Sequence, residues 1–179
     1  MIDILKKKSI YAYLIISLII VLNAFSIFLF VEDQEDSGKT INITGKQRMI
    51  IQRTALLSNN YFYNLNKKDT KKNILRYLEE SKLNQEYIKK IHNQIADSIL
   101  YDPGYQFDNL LKQYNNNIIK FLNNPTDKLL KIINYTNESL LYTSDTLTTL
   151  LAKDNDRRTT IIIYLLIVTT IMILFIIFI

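Results

Sequence analysis

"IYAYLIISLIIVLNAFSIFLFV", Ile10 to Val31, contains no charged residue. As a helix its roughly 22 residues reach about 33 Å, enough to cross the hydrocarbon core of a bilayer. Lys6, Lys7 and Lys8 stand just before it, the positive-inside signal that holds an N-terminus in the cytoplasm. A cleaved signal peptide has a shorter apolar core and a small-x-small cleavage site, whereas "EDQED" follows here without one. Residues 1–9 are therefore expected to be cytoplasmic and residues 10–31 to form an uncleaved span. Asn23, the one strongly polar residue inside it, reads as tolerated polarity near a helix seam or as a hydrogen-bonding group for a neighbouring helix. A second uncharged run, "TIIIYLLIVTTIMILFIIFI" from Thr160 to Ile179, is also long enough to cross, so residues 159–179 are expected to form the second span. Two spans return the C-terminus to the cytoplasm. That places Arg157 and Arg158 outside, in mild conflict with the positive-inside rule, beside Asp154 and Asp156.

The segment between the spans has another character. The chain has 179 residues, enough for one domain, with a net charge of +5. Its lysines are scattered and mixed with acids, which argues against nucleic-acid binding. With Cys 0 there is neither a disulfide framework nor thiolate chemistry. Gly 3 and Pro 2 leave helices few breakers and no glycine-rich phosphate loop.

Helical spacing dominates residues 32–158. Ile74, Tyr77, Leu78, Ser81, Ile88, Ile91 and Ile95 recur at steps near three and four, and Phe107, Leu110, Leu111, Tyr114, Ile118 and Phe121 form a second stripe. Leu129, Ile133, Thr136, Leu140, Thr143, Leu147 and Leu150 alternate steps of four and three, a heptad seam. "NKKDTKK" (Asn66–Lys72), "DPG" (Asp102–Gly104) and "NNPTD" (Asn123–Asp127) interrupt the pattern, with Thr126 or Asp127 placed to cap the last helix. Helices are expected near 33–65, 70–101, 105–123 and 126–158. Short loops make neighbours antiparallel. The expected fold is all-α, two transmembrane helices flanking an extracytoplasmic up-down-up-down four-helix bundle.

Just outside the first span stands "INITGKQRMIIQR", Ile41 to Arg53. On a helix Ile41, Gly45, Arg48 and Gln52 share one stripe, with Met49 and Arg53 on the next. Glycine within a helix costs about 1 kcal/mol relative to alanine, and its use is to admit another helix closely. A close contact beside an arginine suits two copies of the same helix. Their guanidiniums would repel unless an anion lay between them, and arginine binds oxyanions through a planar, permanently charged fork. No acid occupies positions 44, 45, 51 or 52, so no partner within one helical turn explains Arg48.

"INITGKQRMIIQRTALL" resembles the box of the NarX-like, or PilJ-like, N-terminal sensor domain, roughly I-N-x-A-G-x-x-R-M-x-x-x-R. Ile41, Asn42, Gly45, Arg48, Met49 and Arg53 match it, and Thr44 departs from the alanine. "IINYTNESLL" in the last helix is similar to the family's I-N-x-x-S-L-x-L-L segment, so the resemblance covers the whole inter-span region. It implies a two-pass protein of a bacterial inner membrane with a periplasmic sensor domain (residues 32–158), working as a homodimer in signal transduction. By the same resemblance Arg48 binds a small anion such as nitrate or nitrite at the dimer interface. Gly45 and Ile41 shape the approach, and Arg53 matches a second box position. The output partner implied is a separate histidine kinase or chemotaxis transducer, because no cytoplasmic module follows Ile179. The competing expectation is a truncated receptor or membrane adaptor that dimerises without sensing.

Other residues offer less. His92, the one histidine, lies among Lys89, Lys90 and Asn93 on what reads as a solvated face, and alone it cannot build a zinc site. Asp154, Asn155 and Asp156 form a polar juxtamembrane collar rather than a calcium loop. Tyr61, Tyr63, Tyr77 and Tyr87 read as packing. No nucleophile with a base and no carboxylate pair stands out. The chain is not expected to be an enzyme or to carry a cofactor or metal.

Overall fold

The computed structural model describes residues 2–91, 94–102 and 104–178. These residues form five helices: α1 (Ile2–Phe62), α2 (Lys67–Lys89), α3 (Gln94–Tyr101), α4 (Phe107–Asn123) and α5 (Asp127–Phe178). They fall into two compact units, one comprising Met1–Ser37 with Lys153–Ile179 and the other Gly38–Ala152.

In the first unit α1 and α5 run antiparallel, both long and apolar enough to cross a membrane. Their large apolar side chains, Phe25, Phe28, Tyr164 and Phe175 among them, point outward, as lipid-facing side chains do. Asn23, Ser26 and Asp33 of α1 line a groove of about 460 Å³ with Leu166 and Thr169 of α5. Ser26 bonds the carbonyl of Leu22 at 2.9 Å. At one end of the pair the two helices are clasped. Gln34 donates to Thr159 at 2.8 Å and accepts from Asn155 at 3.2 Å. Arg158 reaches Asp33 on α1 at 3.3 Å and Asp154 on its own helix at 2.5 Å. Asp33 and Asp154 thus neutralise the Arg158 charge, and the collar residue Asn155 ties α5 to α1.

The second unit is built around one apolar core. Ile51, Ile74, Leu78, Ile88, Ala96, Ile99, Leu111, Tyr114, Ile118, Phe121, Ile133, Leu140 and Leu147 are all buried in it, so each of the five helices contributes. Each leucine, isoleucine or phenylalanine among them contributes about 1.5–3 kcal/mol on leaving water. The stripe on α4 is buried except for Leu110 at its margin. On α5 the buried line runs through Leu130, Ile133, Leu140, Thr143, Ser144, Leu147 and Leu151, while Leu150 of the expected heptad is exposed. At the helix start Leu129 packs against the edge of the core beside the buried Leu130.

Three boundaries differ from expectation. The first break falls at residues 63–66 rather than within 66–72. Asn64 and Asn66 adopt positive φ (62° and 44°), a conformation asparagine tolerates because its short amide bonds locally. The helix expected over 70–101 is two helices. α2 ends as Lys90 and Ile91 donate to the carbonyls of Tyr87 and Ile88, at 3.0 and 3.2 Å, a tightening of the last turn. No glycine or proline marks that end, and His92 lies outside the described residues. The third boundary is α4, whose helix starts at Phe107 after Gln106 in the left-handed region. Before it, Gly104 donates its backbone N–H to Asp102 Oδ1 at 2.7 Å, an Asx turn at the DPG stretch. The loop before α5 ends as the sequence suggests, with Thr126 Oγ1 accepting from Leu129 N at 3.3 Å. Thr126 is the cap.

Candidate functional site

Residues 41–53 lie on α1, inside the second unit, and their side chains sort by direction. Thr44, Gln47, Ile50 and Ile51 point into the core. Thr44 bonds the carbonyl of Ile41 at 2.9 Å, and Ile41 packs against the core edge. Gly45 is half-buried, and a Cβ built on it meets nothing within 4 Å. Among the described residues no neighbouring helix packs within that distance of it. The same holds for Gly38, one heptad earlier.

Arg48 does have a partner. Its Nε lies 2.9 Å from Asp145 Oδ1 on α5, with the two side chains 50 % and 52 % exposed. This carboxylate comes from the far end of the sequence, well beyond one helical turn of Arg48. Arg53 turns the other way and donates from Nη1 to Tyr77 Oη on α2 at 3.0 Å. Five residues on a helix is a rotation of about 140°, so the two arginines of the box flank opposite sides of α1. Lys46 completes the second flank with an ion pair to Glu80 of α2. The structure places Ile41, Gly45 and Arg48 together and sets Arg53 apart from them.

Between these flanks runs a stripe that is exposed apart from the half-buried Gly45. Gly38, Asn42, Gly45, Met49, Gln52 and Leu56 follow one another at steps of four and three, the spacing of a coiled-coil seam. Met49 is 37 % and Leu56 61 % exposed.

Beneath it the core carries a polar layer that the sequence did not reveal. Gln47 donates to Ser81 of α2 at 2.8 Å, and Asn115 of α4 reaches the same hydroxyl at 3.5 Å. Ser144 of α5, next to the Asp145 that holds Arg48, is buried as well. Among the described residues Gln47 Oε1 and Ser144 Oγ have no hydrogen-bond partner. Tyr114 crosses from α4 to donate to the Ile51 carbonyl at 2.9 Å, and burial pushes its phenol far up.

A second polar cluster joins α2 to α4. The Asp108 side chain, 8 % exposed, accepts from Gln85 at 2.5 Å and pairs with Lys89 at 2.6 Å and Lys112 at 2.7 Å. Burial works to raise its carboxyl, but the bonds from Lys112, Lys89 and Gln85 outweigh it and hold the group below the ordinary carboxylate range.

The tyrosines divide. Tyr61 is core and meets Phe121 edge-on at 6.0 Å. Tyr63 is exposed, and Tyr87 lies under Lys39 at 5.3 Å. Among the described residues no group of three or more His, Cys, Asp or Glu side chains is placed to hold a metal.

No protein-family model, no curated protein and no solved structure matches this chain.

Proposed function

We propose that the chain is the sensory part of a membrane receptor, homodimeric through α1, and that it binds a small anion at Arg48. In this reading residues 32–158 form an up-down-up-down four-helix bundle on the periplasmic side of a bacterial inner membrane, with α3 an interruption in the second arm. The likeness to the NarX-like and PilJ-like sensor domains supports the same assignment, with a histidine kinase or chemotaxis transducer as output partner.

The observation that carries the reading is the open stripe on α1 with Arg48 at its edge. Two glycines a heptad apart leave room for a helix that this chain does not supply, and Met49 and Leu56 give that helix apolar surface to cover. A second copy fits, since an isologous contact sets the same stripe against itself. Each Arg48 then lies beside the seam.

Asp145 suggests how binding becomes a signal. The carboxylate already occupies one edge of Arg48, and an anion entering the seam competes for that guanidinium. Where the anion wins, the tie between α1 and α5 loosens. The ligand moves the equilibrium only by the difference in its affinity for the tied and untied states.

Calorimetry of the full chain in lipid nanodiscs, with nitrate and nitrite, tests this. Saturable heat that disappears in Arg48→Ala is expected. Equal heats from both proteins, or none, remove the anion from the account.

A further inference from the structure

Two further guanidiniums of this unit meet at one tyrosine. Arg53 of α1 and Arg76 of α2 converge on Tyr77, Arg53 through the 3.0 Å bond from Nη1 to the phenol oxygen and Arg76 with its Cζ 5.0 Å from the ring centroid. Among the described residues neither arginine makes an ion pair. Glu80, one turn along α2 from Arg76, is taken by Lys46 of α1. Lys72, one turn before Arg76, adds charge of the same sign. Both arginines are exposed and Tyr77 is half-buried between them.

The phenol is primed by this arrangement. The bond from Arg53 is the largest influence holding its ionisation below the ordinary tyrosine value, and Arg76 pushes the same way. Its oxygen accepts from Arg53, which leaves its own hydrogen free to donate. The cluster therefore offers two planar forks and one O–H donor on one face of the α1–α2 seam, and the exposed Glu79, one turn along α2 from Arg76, forms no ion pair with either fork among the described residues. That is the donor set of an oxyanion site, because charge-assisted bonds from arginine to phosphate or carboxylate are short, strong and often bidentate. Two positive charges held near one ring also repel, and a multivalent oxyanion removes that repulsion where a monovalent one removes less.

We infer that Arg53, Arg76 and Tyr77 form a phosphate-type oxyanion site within one protomer, distinct from Arg48. It does not depend on dimerisation. The ligand chemistry is the phosphate group of a solute; Arg53 stands roughly 33 Å along the continuous helix α1 from the end of the span, out of reach of lipid headgroups.

The test uses the full chain in nanodiscs with carbon-13 in the tyrosine rings, the Tyr77 resonance being assigned by its loss in Tyr77→Phe. In phosphatidylcholine discs inorganic phosphate is expected to shift that resonance saturably, with chloride at matched ionic strength as control. Arg76→Ala and Arg53→Ala should each weaken binding roughly tenfold or more, as loss of a charge-assisted bond implies. Arg76→Lys should recover part of it, and Arg48→Ala should leave it unchanged. A shift that appears only in discs containing phosphatidylglycerol, and not with inorganic phosphate, overturns the site. A shift that chloride reproduces, or an Arg76→Ala protein that binds as the native one does, overturns it. Circular dichroism of each variant confirms that these exposed substitutions leave the helices intact.

Discussion

Arg48 lies between two claims on its charge. Asp145 holds it at 2.9 Å, yet both side chains are half-exposed, and ion pairs of that kind contribute about 0.2–1 kcal/mol. The tie is strong enough to bias a conformation and weak enough for a ligand to break. Asp145→Asn should change unfolding free energy by no more than about 1 kcal/mol. It should tighten anion binding roughly threefold to fivefold, the same energy expressed as affinity. Calorimetric titration beside thermal unfolding checks both, and unchanged affinity would detach Asp145 from the mechanism. At this scale the sequence was informative about residue type and blind to partner. Gly45 and Arg48 could be singled out from their spacing. Asp145, Tyr77 and Asp33 could not, because each meets its arginine through tertiary packing.

At the scale of the element, the glycines and asparagines are the informative residues. Since nothing lies within 4 Å of a Cβ added at Gly45 or Gly38, alanine at either position should stabilise the isolated protomer by up to about 1 kcal/mol. The same substitutions should weaken association, because each fills the space kept for a second helix. Unfolding at low protein concentration against sedimentation at high concentration separates the two effects. The turn between α1 and α2 makes another prediction. Asn64 has φ 62°, so Asn64→Ala should lower stability by about 1–2 kcal/mol while Asn64→Gly changes little, measured by thermal unfolding. Apolar spacing gave the buried lines of α2, α4 and α5 to within a position. Breaks went unseen or misplaced where the chain changes direction by left-handed asparagine or by a tightened last turn, which leave no proline or glycine behind.

For the molecule as a whole, the apolar runs disclosed two membrane-crossing candidates directly, while the polar ties emerged only from the packed helices. The Asp108 cluster makes stability depend on acid. Its carboxyl titrates below the ordinary value of 3.8 in the folded chain, so its contribution is fully present above that value and is lost as pH falls through the lower, folded one. Asp108→Asn should cost about 1–3 kcal/mol at neutral pH, because it leaves Gln85, Lys89 and Lys112 with a poorer acceptor. The gap from the native protein should close as pH drops. Thermal unfolding across an acid series reads it, and a gap that stays constant would mean the carboxylate's charge is not what matters.

The association of two copies through the outer stripe of α1 is the claim on which the receptor mechanism rests. The chain has Cys 0, so single cysteines can be introduced along α1 and oxidised in native membranes. Crosslinked dimers are expected at positions 38, 42, 45, 49, 52 and 56, and little product at the core-facing positions 40, 44, 47 and 51. Uniform crosslinking along α1, or none at the first set, would contradict it.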